Sequence, residues 1–126
     1  MNLNALMEKI KTNPDYPKVG MILCHNGVVR ETSRDGRQVS GIEIKINLAA
    51  LEKIIAEQKS RPGIMDVLVE LADEGRTLAV GEDVMYIVVA GDIRDRVISC
   101  LTDTLNAIKS SVTSKTEFFL KGEPHE

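Results

Sequence analysis

The sequence predicts an α+β fold in one domain, and three patterns carry that prediction. Ile42, Ile44 and Ile46 alternate with Glu43 and Lys45, so a period of two lines the isoleucines along one face of a strand. Val84 to Ala90 is apolar on both faces, as a central strand must be. Ile93, Val97, Ile98, Leu101, Leu105 and Ile108 form an apolar stripe at helical spacing. Taken along the chain, the elements run α, β, β, α, β, β, α, β. A chain of 126 residues is most simply one domain, 1–126. At that size it buries about two-thirds of its unfolded surface.

Each element has a local reason. Leu3, Leu6, Met7 and Ile10 share a helical face. Asn13-Pro14 and Tyr16-Pro17 end that helix, because a residue before proline is pushed out of helical backbone. Met21 to Cys24 and Val28-Val29 read as a strand broken near Asn26-Gly27. The connection from Arg30 to Arg37 is too long for a two-residue hairpin turn and bends at Asp35-Gly36; Val39 to Ile46 is the next strand. Asn47 caps a helix whose Leu48, Leu51, Ile54, Ile55 and Gln58 share one face, and Arg61-Pro-Gly63 stops it. Ile64 to Leu71 is a strand by its valine and isoleucine content. Asp73 to Gly81 is a loop, and Gly81-Glu-Asp83 turns the chain into Val84 to Ala90. Asp92 stands where a cap of the long helix belongs, with Asp95 in the first turn, where the helix dipole favours negative charge. That helix runs to about Lys109 and breaks at Ser110-Ser111; Thr113 to Leu120 is a last strand and Lys121 to Glu126 a polar tail.

Composition narrows the function. A net charge of −3, with no basic stripe carrying interleaved aromatics, argues against nucleic-acid binding. No apolar run approaches the roughly 20 residues of a membrane span, and Met1 to Lys11 lacks the apolar stretch of a signal peptide, so a cytoplasmic location is expected. Cys24 and Cys100 give neither a disulfide framework nor metal spacing, and both read as buried free thiols. Cys24 and His25 are strand neighbours, which point to opposite faces and form no local thiolate–imidazole pair. With His25 and His125 as the only histidines, neither a histidine zinc site nor a serine–histidine–acid triad is expected, and no metal or cofactor is implied. Chemistry is left to Lys, Arg, Asp, Glu or a borrowed group.

Two places carry candidate chemistry. Arg30, Arg34 and Arg37 lie on or beside one mobile loop, and a guanidinium offers phosphate or carboxylate a planar fork of donors. Glu31 and Asp35 partly neutralise them, and a solvated hairpin loop is the alternative reading. Lys109 closes the long helix, and Lys115 follows six residues later with Glu117 beyond it. A lysine in a last helical turn ordinarily serves the dipole and the final carbonyls. Brought into one concave site, two lysines would depress each other's pKa and leave one amine nucleophilic.

Laid in order, these segments resemble the large, catalytic subunit of molybdopterin synthase. The resemblance rests on Gly27-Val-Val-Arg30, the charged loop with Arg34-Asp-Gly36, the strand Val39 to Ile46 and the helix Leu48 to Lys59. It continues through Gly75, Gly81-Glu-Asp83 and Val84 to Ala90, then Ile93-Arg94 where the family has His-Arg. Lys109 and Lys115-Thr-Glu117 take the places of the two family lysines once one residue between them is deleted. The match spans about residues 19–117. It implies an α/β-hammerhead fold, with helices packed on an antiparallel or mixed sheet, and a homodimer within a heterotetramer. Each large subunit would receive the C-terminal Gly-Gly tail of a small ubiquitin-like sulfur carrier. The tail's thiocarboxylate would convert cyclic pyranopterin monophosphate into molybdopterin. The resemblance makes Lys109 and Lys115 catalytic and gives Arg30 and Arg94 the substrate phosphate or partner carboxylate; Arg34 and Arg37 are further substrate-binding candidates from the charged loop itself.

The chain departs from the family pattern at three places. Ile93 replaces a histidine, Ala72-Asp73 replaces a His-Arg pair, and Val112-Thr-Ser114 replaces a Pro-x-Trp-like stretch one residue longer. Beside the enzyme reading stand two others: a binding module that keeps the groove for a partner's tail or a pterin-like anion without turnover, and an unrelated α+β structural dimer. Lysines facing different surfaces would favour the last.

Overall fold

The most apolar run of the chain is buried on both faces and hydrogen-bonded along both edges. In a computed structural model describing residues 1–120 it is strand β5 (Asp83–Gly91), with β1 (Met21–Val28) antiparallel on one side and β3 (Ile64–Leu71) antiparallel on the other. The tail expected over 121–126 lies outside the described residues. Alternate residues of β5 feed two cores, as the strand period requires. Met85, Ile87 and Val89 meet Val97, Cys100 and Ile108 on one side, together with Ile54 of helix α2 (Leu48–Lys59). Tyr86, Val88 and Ala90 meet Leu6 and Ile10 of helix α1 (Leu3–Lys11) on the other. Two asparagines cap those helices, Asn2 accepting from the Ala5 amide and Asn47 from the Ala50 amide, each at 3.1 Å.

A second sheet stands beside the first. Its central strand β2 (Val39–Ile46) pairs antiparallel with β6 (Thr113–Phe119) and, over two residues, with β4 (Leu78–Ala79). Val29, Val39, Ile42, Ile44, Ala72 and Leu78 form the core beneath it. The architecture is therefore α+β with antiparallel sheets and three α-helices. β1 and β2 do not form a hairpin: their connection carries the chain from one sheet to the other. The expected break near Asn26-Gly27 is only a bulge between Gly27 and Val28. β4 lies inside the expected loop, where two residues are too few to show a period.

The long helix differs from expectation in three ways. Helix α3 (Arg94–Ala107) has Ile93, in extended backbone, at its cap position. The Asp92 carboxylate instead accepts from the Ile93 amide at 2.7 Å and pairs with Arg96 at 2.9 Å. The buried face runs through Val97, Cys100 and Thr104, leaving Ile93 and Ile98 exposed. Ile93 precedes the helix and cannot share its phase, and Ile98 lies about 100° around from Val97. Similarly Leu48, at the first position of α2, is exposed while Ile54 is buried. Finally, Ser110-Ser111 does not break the helix. The chain widens into a π-helical turn, Ile108–Val112, closed by the Thr113 amide donating to the Ile108 carbonyl. Ile108 and Val112 are both buried in this turn, and the Val112 carbonyl accepts from the Asn47 amide at 2.8 Å.

Ile108 is therefore the anchor of the turn that carries Lys109. Ile108→Ala should destabilise the protein by about 2–5 kcal/mol in urea denaturation, whereas Ile98→Ala should change stability by no more than about 0.5 kcal/mol. Equal effects would contradict the observed helix face.

Candidate functional site

Where the two sheets meet, β1, the crossing segment, β2, β6 and the π-helical turn enclose a cavity of about 620 Å³. Its apolar wall includes Ile42, Ile44, Val84 and Met85. Four cations line it: Arg30 and Arg34 from the crossing segment, Lys109 from the π-helical turn and Lys115 from β6. Strand alternation puts Thr113, Lys115 and Glu117 on one face of β6, and the register sets Lys115 opposite Ile44 and Glu117 opposite Ile42. The lysines thus reach the cavity from different elements.

The arginine-bearing loop is a hydrogen-bonded turn, not the free loop expected. The Ser33 amide donates to the Arg37 carbonyl at 2.8 Å, the Gly36 amide to the Ser33 carbonyl at 3.0 Å, and the Arg37 amide to the Ser33 hydroxyl at 3.1 Å. The Ser33 hydroxyl donates to Asp35, and this bond is the main reason the Asp35 carboxyl lies below its ordinary pKa. Arg30 Nε donates to the Thr32 carbonyl at 2.8 Å, which orients the guanidinium. The Lys115–Glu117 pair, at 3.7 Å, is half in solvent and binds weakly. Four cations against one carboxylate make an electropositive pocket suited to an oxyanion.

Two candidates fall outside this group. Arg37 lies with its guanidinium 3.5 Å from the centroid of the Phe119 ring, a cation–π contact that ties the start of β2 to the end of β6. Arg94 is exposed at the first turn of α3, about 20 Å along the helix from the end that leads to Lys109. Of the altered family positions, Ala72 is buried in the apolar core and Ile93 is exposed beside Arg94.

The cavity also contains a residue that sequence reasoning set aside. The odd-numbered residues of β1 face α3, and His25 among them lines the cavity. Its Nε2 is buried and has no hydrogen-bond partner among the described residues. Burial, and then the charge of Lys109, hold its pKa below the ordinary 6.5. The signal was the alternation that separates Cys24 from His25. Cys24 points the other way, toward Met7, with its sulfur 3.5 Å from the thioether sulfur. It is exposed rather than buried, because α1 covers that face only in part; Cys100 is buried as expected. Among the described residues no three His, Cys, Asp or Glu side chains cluster as metal ligands, and no helix is long and apolar enough to cross a membrane.

The sequence matches a family model described as MoaE protein over residues 1–111. No curated protein matches it. Among solved structures the chain is similar to molybdopterin synthase from Staphylococcus aureus, at 19% identity and a TM-score of 0.79, over 98% of this chain and 88% of that one. It is similar to molybdopterin cofactor biosynthesis protein E from Burkholderia multivorans, at 23% identity and a TM-score of 0.72, over 100% of this chain and 86% of that one. A third likeness is to the complex of subunits 1 and 2 of molybdopterin-converting factor from Helicobacter pylori, at 15% identity and a TM-score of 0.69, over 97% and 86%. At these identities the structural likeness establishes the fold.

The lowered pKa of His25 has a consequence for acid stability. The unfolded chain binds this proton more readily than the folded one, so stability is intact above about pH 6.5 and falls as pH drops from there through the lowered value. His25→Phe should remove that loss, so its urea midpoint should fall less than the wild-type midpoint between about pH 7.5 and about pH 5. Parallel declines would show that other groups govern acid stability.

Proposed function

The chain belongs to the MoaE family of molybdopterin synthase large subunits, within molybdenum cofactor biosynthesis, and on that premise we propose that its cavity is the sulfur-transfer site. The observation that carries the proposal is the convergence of Arg30, Arg34, Lys109 and Lys115 on one pocket between the sheets. The substrate would be cyclic pyranopterin monophosphate, with its phosphate between Arg30 and Arg34, where paired guanidinium donors fit its oxygens. The sulfur donor would be the thiocarboxylated Gly-Gly tail of a small ubiquitin-like subunit, drawn in by the same positive field. Lys109 and Lys115 would supply the amines for acid–base or nucleophilic work at the reacting carbon.

Arg37, engaged with Phe119, would support the loop rather than hold substrate. Arg94 is too far along α3 to reach the cavity of its own chain, so a substrate role would require a second copy to present it. A homodimer with one small subunit on each large subunit, working in the cytoplasm, is the assembly that fits this reading. Ala72 and Ile93 favour a second reading. Where the family has histidines they offer no polar side chain, so a relative that binds the tail without turnover is the alternative.

Sulfur transfer tests both. The chain, a thiocarboxylated small subunit from the same genome and cyclic pyranopterin monophosphate should yield dithiolene pterin. Lys109→Ala and Lys115→Ala should each lower the rate by about 10²–10⁴-fold. Arg30→Ala should chiefly weaken binding of the phosphate. Tail binding without product in the unaltered chain would select the binding module instead.

A further inference from the structure

Among the described residues, His25 and Glu117 are the titratable groups of the cavity for which the proposed reaction has no task, and Glu117 is already paired with Lys115. His25 projects from β1 toward the cavity that Lys109 also lines, and its buried Nε2 makes no hydrogen bond among the described residues. A polar nitrogen that faces a ligand-sized cavity with no bond to the protein is placed to bond a group that arrives with the ligand. Gly27 leaves room for that group: a Cβ there would stand 3.4 Å from Nε2. The charged groups around the same space are Arg30 and Arg34 on the crossing segment, Lys109 on the π-helical turn, and Lys115 and Glu117 on β6. The facing residues of β5 are Ile87, paired with His25, and Met85, and neither ionises.

We propose that His25 is a proton-coupled anion donor: it is uncharged in the empty cavity and takes a proton from solvent when an oxyanion seats among the four cations, so that Nε2–H becomes a further donor to that oxyanion. In the empty cavity burial and the Lys109 charge both oppose the imidazolium. A seated anion reverses the local field, and an opposite charge within about 4–6 Å raises a pKa by about 1–3 units. Occupancy and protonation therefore reinforce one another. The inference rests on reading the cavity as an anion site. The oxyanion could be a phosphate or the carboxylate of a partner's tail, and both would engage the same nitrogen.

Proton NMR of the His25 imidazole in the full chain, assigned with His125→Gln, tests this directly. Two probes separate the sources: inorganic sulfate, whose charge is fixed across the titration, and a peptide ending in Gly-Gly with a free carboxylate. Saturation by either probe should raise the His25 pKa by about one unit or more, and affinity should strengthen by up to about tenfold per unit of that rise as pH falls. In His25→Phe, or His25→Gln should the first not fold, anion affinity should become independent of pH over the same range. A saturated site with an unmoved His25 titration would overturn this inference and leave the anion site standing. Failure of both probes to saturate would overturn both.

Discussion

The rest of the molecule depends on the burial of β5 from both sides. A strand whose two faces are apolar must be covered twice, and a strand with partners on both edges fixes the register of each. α1 covers one face, and α2 and α3 cover the other. The position of α3 then sets where its C-terminal end emerges, and so where Lys109 stands. The site is a by-product of that constraint as much as of its own residues.

The second sheet is assembled differently. β2 pairs with a strand near the chain end and with a two-residue strand from the middle, so its order is made entirely by long-range contacts. The cavity lies where this sheet meets the first. Its cations come from three separate places, a crossing segment, a widened helix end and an edge strand. Two of these places adjoin an end of regular structure, where a charged head can face the cavity while its neighbour stays in the core: Lys109 beside buried Ile108, Arg30 beside buried Val29; Lys115 instead stands within β6 and reaches the cavity by strand alternation.

Much of the fold was legible in the sequence because it is written in local periods. The bounds of β2, β3 and α2 follow from alternation, composition and the Asn47 cap, and the two-faced apolar run correctly marked the central strand. What eluded the sequence was non-local. Nothing in Leu78-Ala79 announces a strand until β2 is beside it. Spacing alone draws an apolar stripe through Ile93 and Ile98, because it does not say which side of α3 meets β5. The site was half legible. Three equivalent arginines on one loop cannot be ranked until Phe119 is seen to engage one of them, and the distance of Arg94 from the cavity of its own chain is set by the length of α3. His25 was hidden for the opposite reason, since its surroundings come from elements far away in the chain.

The π-helical turn has a consequence for how such a chain tolerates change. A turn closed by an i→i+5 bond holds one residue more than an α-turn. On one side of it Ile108 is locked in the core; on the other Thr113 is locked opposite Ile46 in the sheet. Relaxing such a turn to an α-turn would release one residue, so its width alone can take up a single residue of chain length between those two anchors. Six positions apart in sequence, Lys109 and Lys115 line one cavity. Here, where the resemblance asks for one residue fewer than the family has, both lysines still face one cavity, so an alignment gap need not be a displacement of chemistry.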